Sequence, residues 1–206
     1  MTDDVTARWG GAFGSEYALR NAHTEERLRK NLLAFAQILP HMDGAPPESI
    51  LECGANVGLN IAALKLLSGA RICALEPNPA GRQELAKLLP EDRLVEGTLR
   101  HLPFPDASFD LVFTRGVLIH VPDADLERAY REMHRVSRRW LLSIEYFAPN
   151  PTTVPYHGHD DMLFKRDYGS YWLDLFPDVE YVADGFFWKR TTGNDNPNWW
   201  LFRKRG

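Results

Sequence analysis

Residues 51–60 read LECGANVGLN, and this stretch decides how the chain of 206 residues folds. The apolar residues 49–53 predict a strand, and the apolar spacing of residues 59–67 predicts a helix. Gly54 and Gly58 lie in the turn between them. A strand that passes through a glycine-containing turn into a helix presents backbone N–H groups to a ligand, as nucleotide-binding loops do. The stretch therefore predicts a nucleotide-type cofactor site at the carboxyl end of the first strand.

Strand and helix patterns alternate along the middle of the chain. Further strands are predicted at residues 71–75, 94–96, 110–114 and 140–145. Helices are predicted between them at residues 80–89 and 124–136, and a helix capped by Thr24 precedes the first strand. Alternation at this spacing indicates βαβ units, and so a mostly parallel sheet with helices on both faces.

The pattern changes after Pro149. Residues 150–166 lack periodicity and predict a loop, and residues 167–175 predict a helix. Residues 179–190 and 199–203 are rich in β-forming residues and are joined by TTGNDNPN, a run of turn formers. These two segments predict an antiparallel hairpin added to the edge of the sheet, which brings the predicted strands to seven.

The length suits one domain with a substantial core. We expect a single domain over residues 1–206, in which residues 1–40 form an N-terminal cap or lid. Residues 49–146 are the predicted cofactor-binding core. Residues 147–206 are expected to supply a substrate loop and the C-terminal hairpin.

The composition is that of an ordinary soluble protein, with 44% hydrophobic and 25% charged residues. The net charge of −4 and the lack of a basic stripe disfavour nucleic acid as a partner. No apolar run has the length of a membrane span, and the N-terminus lacks a signal-peptide core, so we expect a cytoplasmic protein without membrane contact. Cys53 and Cys73 lie in apolar runs and are expected to be buried thiols. Monomer and homodimer are both compatible with the sequence.

Glu76 ends the second predicted strand, at the sheet edge where ligands bind in doubly wound folds. A carboxylate at this place suits the two hydroxyls of a ribose. The loop spacing, however, is G-x-N-x-G rather than the G-x-G-x-x-G of dinucleotide sites. A nicotinamide-dependent oxidoreductase is therefore a disfavoured alternative.

Two further stretches add specificity. Residues 96–136 read EGTLRHLPFPDASFDLVFTRGVLIHVPDADLERAYREMHRV, and residues 74–80 read ALEPNPA. With LECGANVGLN they resemble class I S-adenosylmethionine-dependent methyltransferases over roughly residues 49–146. A narrower resemblance, carried by WGGAFGSEYALRN at residues 9–21 and DNPNWWLFRK at residues 195–204, is to small bacterial methylases associated with pseudaminic acid biosynthesis.

The resemblance implies a Rossmann-like fold, S-adenosylmethionine as cofactor and S-adenosylhomocysteine as product. Glu76 matches the acid on the ribose hydroxyls, Pro77 the residue that packs on adenine, and Arg115 a position whose carbonyl meets the methionine amino group. The implied set of contacts after the strands comprises Glu52, Gly54, Asn56, Gly58, Asn60, Glu76, Pro77, Thr98, Leu99 and Arg115.

Two positions depart from the family pattern. Asn56 stands where the family has glycine, and Thr98 where it has an acid that accepts from the adenine amino group. Asparagine tolerates positive φ better than other residues with a Cβ, so we expect Asn56 in an unusual turn conformation or bonded within the loop. A hydroxyl also accepts hydrogen bonds, so neither change forbids cofactor binding.

Two structural hypotheses fit the N-terminal segment. Tyr17, Arg20 and Asn21 lie about one helical turn apart and share a direction with Trp9 and Phe13. They either cover the cofactor as a lid, with Arg20 near its carboxylate, or pack on the sheet edge as an amphipathic cap.

The candidates for a general base or a substrate contact are His120, Glu145, Tyr146 and His157. His120 follows the fourth strand, and a backbone-bonded histidine is the competing interpretation. Glu145 and Tyr146 end the fifth strand at the ligand edge. His157 lies in YHGHDD, which has no second pair of ligands nearby, so no metal is expected.

The sequence thus predicts a methyltransferase that acts on an oxygen or nitrogen atom of a small metabolite, either sugar-like or amino-acid-like. The alternative is a regulatory protein that keeps the cofactor and has lost turnover. Asn56 and Thr98 are the residues that sustain this alternative.

Overall fold

One seven-stranded sheet organises the computed structural model, which describes residues 7–42, 44–156 and 162–205. The strands are β1 (Ser49–Cys53), β2 (Arg71–Leu75), β3 (Leu94–Val95), β4 (Phe109–Arg115), β5 (Ser137–Glu145), β6 (Thr152–Thr153), β7 (Phe164–Lys165), β8 (Val179–Phe186) and β9 (Asn198–Lys204). Their order in the sheet is β3-β2-β1-β4-β5-β9-β8, and β6 and β7 form a separate pair. Neighbours from β3 to β5 are parallel, whereas β9 is antiparallel to β5 and β8. The predicted α/β class, with its mostly parallel sheet and C-terminal hairpin, is confirmed.

Seven helices are bounded in the described part of the chain: α1 (Ala12–Arg20), α2 (Glu25–Ile38), α3 (Leu59–Leu67), α4 (Pro79–Leu85), α5 (Asp123–Val136), α6 (Ser170–Leu175) and α7 (Lys189–Thr192). Residues 7–10 are also helical. Local chemistry fixes several helix starts. The Thr24 side chain accepts the N–H of Arg27 at the start of α2, and Asn78 caps α4, which has proline in its first turn. In the described ranges, no helix combines the length and the apolar character that a membrane span requires.

The central strands are buried on both faces, which explains why they read as continuous apolar runs. Successive side chains of a strand lie on opposite faces, so Ile50 joins one core and Leu51 the other. Helices α2 and α3 cover the first face with residues such as Phe35. Helices α5 and α6 cover the second with Tyr130 and Trp172.

Several element boundaries differ from the sequence-based prediction. The predicted helix 80–89 is α4 (Pro79–Leu85) and ends four residues earlier. The predicted loop 150–166 contains the short pair β6–β7. The predicted strand 179–190 ends at Phe186 and is followed by α7, where the Trp188 carbonyl accepts from both following threonines. The predicted helix 167–175 begins only at Ser170, because the Asp167 carboxylate accepts its N–H and hydroxyl and ends the preceding turn. Strand β5 starts at Ser137, directly after α5, instead of at residue 140.

Candidate active site

A cavity of about 310 Å³ lies at the carboxyl ends of β1, β2, β3 and β4, and we call it the first cavity. Its size is that of a small-molecule site. The structure brings together, in its lining, most of the predicted cofactor residues: Tyr17, Asn21, Glu52, Gly54, Asn56, Asn60, Glu76, Pro77, Thr98, Leu99 and Arg115. Two predicted residues do not line it. Gly58 is the N-cap of α3, and the guanidinium of Arg20 lies 5.8 Å from the ring centre of Tyr17.

The loop after β1 has the backbone conformation that its sequence permits. Gly54 and Gly58 have φ angles of 77° and 83°, in the left-handed region. A Cβ on Gly54 would lie 2.6 Å from a methyl group of Val117, so a larger residue does not fit. Asn56 has a φ of 48°, which confirms the expected turn conformation. The loop therefore keeps its backbone close to the cavity.

Glu76 is held rigidly at the end of β2. Its two carboxylate oxygens accept the N–H groups of Asn56, at 2.7 Å, and of Asn78, at 2.8 Å. The side chain is buried, and this burial raises the pKa of the carboxyl group. Each oxygen keeps a further lone pair, so the carboxylate can accept two hydroxyl groups at once.

A polar chain crosses the floor of the first cavity from β1 to β4. The Oε1 atom of Glu52 accepts from the Asn60 amide at 2.6 Å, and the Asn60 oxygen accepts from Arg115 at 3.0 Å. The other Glu52 oxygen is buried and has no hydrogen-bond partner among the described residues. Burial raises the pKa of Glu52 to about 8 and lowers that of Arg115 to about 10. An orphaned carboxylate oxygen in a cavity is a place for a ligand ammonium group.

The N-terminal segment lies over the first cavity, since Trp9, Gly14, Tyr17 and Asn21 are part of the lining. Asn78 anchors the segment, because its amide donates to the carbonyl oxygen of Trp9 at 3.0 Å while its oxygen caps α4. A Cβ on Gly14 would lie 1.9 Å from the same carbonyl oxygen, so only glycine allows this packing. The segment is thus fastened across the cavity.

The aromatic residues of this segment form one cluster. The Trp9 ring meets Phe13 and Tyr17 edge-on at centroid distances of 5.0 and 5.2 Å. It also lies 4.6 Å from His120, which in turn lies 5.2 Å from Tyr156. Trp9, Tyr17 and His120 of this cluster form part of the wall of the first cavity.

His120 lines the first cavity and is buried. Its Nδ1 is hydrogen-bonded to the carbonyl oxygen of Met162, so Nδ1 carries the proton and Nε2 has a lone pair. Burial lowers the pKa of His120 to about 4, so the ring is neutral at pH 7. The backbone-bonded interpretation of His120 is therefore confirmed for Nδ1, and a role of Nε2 toward a ligand stays a prediction.

The Glu145 carboxylate is buried and faces backbone N–H groups instead of solvent. Its carboxylate accepts the N–H groups of Val117 at 3.1 Å, of Leu118 at 3.2 Å and of Ile119 at 3.4 Å. Burial raises the pKa of Glu145 to about 7. The side chain therefore fixes the turn that carries His120.

A second cavity of about 340 Å³ adjoins the first. Both are lined by Tyr17, Asn21, Asn31, Leu59, Arg115 and Gly116. The remaining wall comes from Arg27 and Lys30 of α2, from the end of β5 and from the turn before β9. In this wall the Tyr146 hydroxyl donates to the Asp195 carboxylate at 3.3 Å. Burial raises the pKa of Tyr146 above its ordinary value, which makes it a hydrogen-bond donor rather than a base.

The remaining predicted candidate, His157, lies outside the described residues, as do His159, Asp160 and Asp161. Within the ranges that are described, no group of three or more histidine, cysteine or acidic side chains is arranged to hold a metal ion.

Two buried asparagines were not singled out from the sequence. Asn31 lies on the buried face of α2 and lines both cavities. Asn194 lines the second cavity and accepts from Arg115 at 2.6 Å. Asn31 was detectable as a polar residue on an otherwise apolar helix face, whereas Asn194 is one of several turn formers and had no distinguishing pattern.

The strand order, the glycine loop after β1 and the buried acid after β2 together define the class I methyltransferase fold, whose cofactor is S-adenosylmethionine. The family model described as "Methyltransferase domain" matches residues 51–139. Residues 51–139 therefore match a methyltransferase domain, and the structure has the fold of S-adenosylmethionine-dependent methyltransferases.

Among characterised proteins, the chain is similar to sterol 24-C-methyltransferase of Pneumocystis carinii. The two are 28% identical over 151 residues, which is 66% of this chain and 37% of that protein. It is 34% identical over 113 residues to the methyltransferase str3 of Strobilurus tenacellus, which is 52% of this chain and 40% of that protein. The chain spans less than half the length of these relatives.

Among solved structures, the chain resembles the 1,6-didemethyltoxoflavin-N1-methyltransferase of Burkholderia thailandensis, crystallised with 1,6-didemethyltoxoflavin and S-adenosylhomocysteine. The TM-score is 0.75 at 18% identity, and the match covers 100% of this chain and 91% of the other. At this identity the likeness concerns the fold.

Proposed function

We propose that this protein transfers a methyl group from S-adenosylmethionine to an oxygen or nitrogen atom of a small metabolite. One observation carries the proposal: the first cavity, which has the cofactor-type loops, shares a wall with a second cavity of similar size. Two adjoining cavities suit a donor and an acceptor that must meet. The acidic net charge favours a small-molecule acceptor over nucleic acid, and we infer that the protein acts in the cytoplasm.

The residues of the first cavity fit the cofactor. Glu76 has lone pairs left for the two ribose hydroxyls, and the orphaned Glu52 oxygen suits the ammonium group. Pro77 and Leu99 offer apolar surface for the adenine, with the Thr98 hydroxyl nearby as an acceptor. When bound, S-adenosylmethionine supplies an electrophilic methyl carbon, and its sulfur leaves as the neutral thioether of S-adenosylhomocysteine.

The chain contributes mainly by alignment and by excluding water. In this proposal the walls of the two adjoining cavities hold the acceptor molecule beside the donor, and good alignment lowers barriers by several kcal/mol, up to about 7–11. The cap with Trp9 and Tyr17 excludes water from the first cavity.

A proton must leave the acceptor atom if that atom carries one. His120, neutral and with a lone pair on Nε2, is our candidate to accept a hydrogen bond or proton from the acceptor. Tyr146 is our candidate to orient the acceptor as a donor, and Glu145 to position the turn that carries His120.

The two ends of the chain supply acceptor selectivity in this proposal. The second cavity is lined by residues from both segments that carry the narrower resemblance. Residues 9–21 contribute Tyr17 and Asn21, and residues 195–204 contribute Asp195 and Pro197. This supports a sugar-like or amino-acid-like biosynthetic acceptor, as the resemblance to pseudaminic acid-associated methylases implies.

A regulatory protein without turnover is a weaker candidate. It rested on Asn56 and Thr98, and Asn56 adopts the left-handed conformation that a glycine would have.

Two experiments test the proposal. Calorimetry with S-adenosylmethionine, S-adenosylhomocysteine and NAD is expected to show binding of the two sulfur compounds alone. Metabolite pools incubated with the protein and methyl-labelled cofactor are then expected to give a mass-shifted product. Binding of NAD in place of the sulfur compounds would refute the cofactor assignment, whereas cofactor binding without any labelled product would favour the regulatory alternative.

A further inference from the structure

Arg115 stands between the two cavities with its charge only partly matched. Its guanidinium donates to the amide oxygens of Asn60, at 3.0 Å, and of Asn194, at 2.6 Å. Both acceptors are neutral. In the described part of the chain, no carboxylate lies within ion-pair distance of Arg115. The nearby Glu52 carboxylate acts on Arg115 through Asn60 and through its charge, which opposes the lowering of the Arg115 pKa by burial. A guanidinium has more N–H donors than these two bonds use.

Asn194 adds a second unmet donor at the same place. The residue is only 7% exposed, and its Nδ2 is buried without a hydrogen-bond partner among the described residues. The orientation of this amide is fixed by chemistry, because rotating it would place the NH2 group against the Arg115 guanidinium. A buried donor of this kind calls for an acceptor atom from a ligand.

The acids of the second cavity are already engaged. The Glu145 carboxylate accepts three backbone N–H groups. Asp195 accepts from Lys189 at 2.8 Å and from Tyr146 at 3.3 Å, and the hydrogen bond from Lys189 lowers the pKa of Asp195. These acids therefore do not neutralise Arg115.

The wall of the second cavity carries two further cations, Arg27 and Lys30 of α2. Lys30 pairs with Glu26 at 2.6 Å, so the net contribution of this side is modest. The cationic group that faces the interior is Arg115.

We propose that the second cavity takes an acceptor molecule that carries a carboxylate, bound between the Arg115 guanidinium and the Asn194 amide. A carboxylate has two acceptor oxygens, so it can meet both donors at once, and its charge matches the guanidinium. This inference rests on the proposed function, which makes the second cavity the acceptor site. Arg115 borders both cavities, so the carboxylate of the cofactor could also bind it. The test must therefore distinguish the carboxylate of an acceptor from that of the cofactor.

The test uses the full chain saturated with S-adenosylhomocysteine. Acetate, benzoate and glucuronate are titrated by protein-observed NMR or calorimetry, each beside its neutral amide. At least one carboxylate is expected to bind at one site and at least tenfold more tightly than its amide. Asn194→Leu and Arg115→Met are expected to abolish this preference, and Arg29→Met, an exposed arginine of α2, to preserve it. If Arg115→Met does not fold, the wild-type preference and Asn194→Leu decide the question.

A second arm measures the affinity of each variant for S-adenosylhomocysteine and for its decarboxylated analogue. If Asn194→Leu and Arg115→Met weaken S-adenosylhomocysteine alone, the site serves the cofactor carboxylate and the inference is overturned. A lack of preference for carboxylates over amides in the wild-type complex also overturns it. Failure of S-adenosylhomocysteine to bind at all is a different result, because it refutes the proposed function itself.

Discussion

The Glu76 carboxylate accepts the backbone N–H of Asn56 at 2.7 Å, and this bond ties the loop after β1 to the end of β2. The other Glu76 oxygen accepts the N–H of Asn78, whose side chain anchors the N-terminal cap. One buried acid therefore links the glycine loop, the second strand and the cap around the first cavity.

Glu76→Ala is expected to weaken S-adenosylhomocysteine binding by roughly 10- to 100-fold. Hydrogen bonds to a charged group contribute about 1.5–3 kcal/mol, and about 1.4 kcal/mol corresponds to a factor of ten in affinity. Calorimetry measures the change. Glu91→Ala, at an exposed acid in the turn before β3, serves as the matched control and is expected to bind normally. Equal affinities for the two variants would show that Glu76 does not contact the ribose.

Asn56 is expected to respond to substitution through its backbone. With a φ of 48°, Asn56→Ala should lower the free energy of unfolding by about 1 kcal/mol, because alanine has no local compensation in the left-handed region. Asn56→Gly should leave it unchanged or raise it slightly. Urea denaturation of the three proteins tests this order, and an alanine variant as stable as the glycine variant would contradict the assigned conformation.

Gly14→Ala is expected to dislodge the cap. The added Cβ would lie 1.9 Å from the Trp9 carbonyl oxygen, and a backbone atom cannot give way as a flexible side chain can. We expect affinity for S-adenosylhomocysteine to fall at least tenfold, while circular dichroism shows an intact sheet. Gly69→Ala, where a Cβ meets nothing within 4 Å, is the control and should bind like the wild type. Unchanged affinity in Gly14→Ala would show that the cap does not cover the ligand.

Much of the fold was predictable because it follows local patterns. The strands read as apolar runs since both faces of the sheet are covered, and the alternation with helices implied parallel pairing. The left-handed conformation at Asn56 was also predictable, because it replaces a glycine in a known type of turn. The two-residue strands β6 and β7 were not, since two residues carry no periodicity.

The contacts of the second cavity depend on distant parts of the chain. Asn194 meets Arg115 across 79 positions because β9 pairs with β5, a neighbour that the predicted edge hairpin did not specify. Asn78 reaches the carbonyl of Trp9 across 69 positions in the same way. Residue type and spacing therefore identified the first cavity, while the second required the assembled sheet.

Glu52 is expected to make stability depend on pH above neutrality. Its folded pKa, raised to about 8 by burial, exceeds the ordinary value of 4.5, so the folded state holds a proton that the unfolded state has released. The contribution of Glu52 to the free energy of unfolding is thus fully present below the unfolded pKa and is lost as pH rises through the folded pKa. Glu145 also reduces the free energy of unfolding as pH rises, but this effect ends near its folded pKa of about 7. His120, with a pKa of about 4, is neutral throughout the range above pH 7.

Urea denaturation of the ligand-free protein between pH 7 and 8 therefore isolates Glu52, because the buried thiols of Cys53 and Cys73, whose pKa values burial raises above 9.0, contribute only at higher pH. Wild type is expected to lose stability across this range. Glu52→Gln keeps a side-chain oxygen for the Asn60 amide and removes the titrating group, so its free energy of unfolding should change less over this range.

Proton release on ligand binding is the second measurement. The ammonium group of the cofactor favours the charged Glu52 carboxylate, so S-adenosylhomocysteine binding at pH 7 should release protons in wild type and fewer in the variant. Parallel pH curves for the two proteins, with equal proton release, would show that Glu52 is ionised throughout.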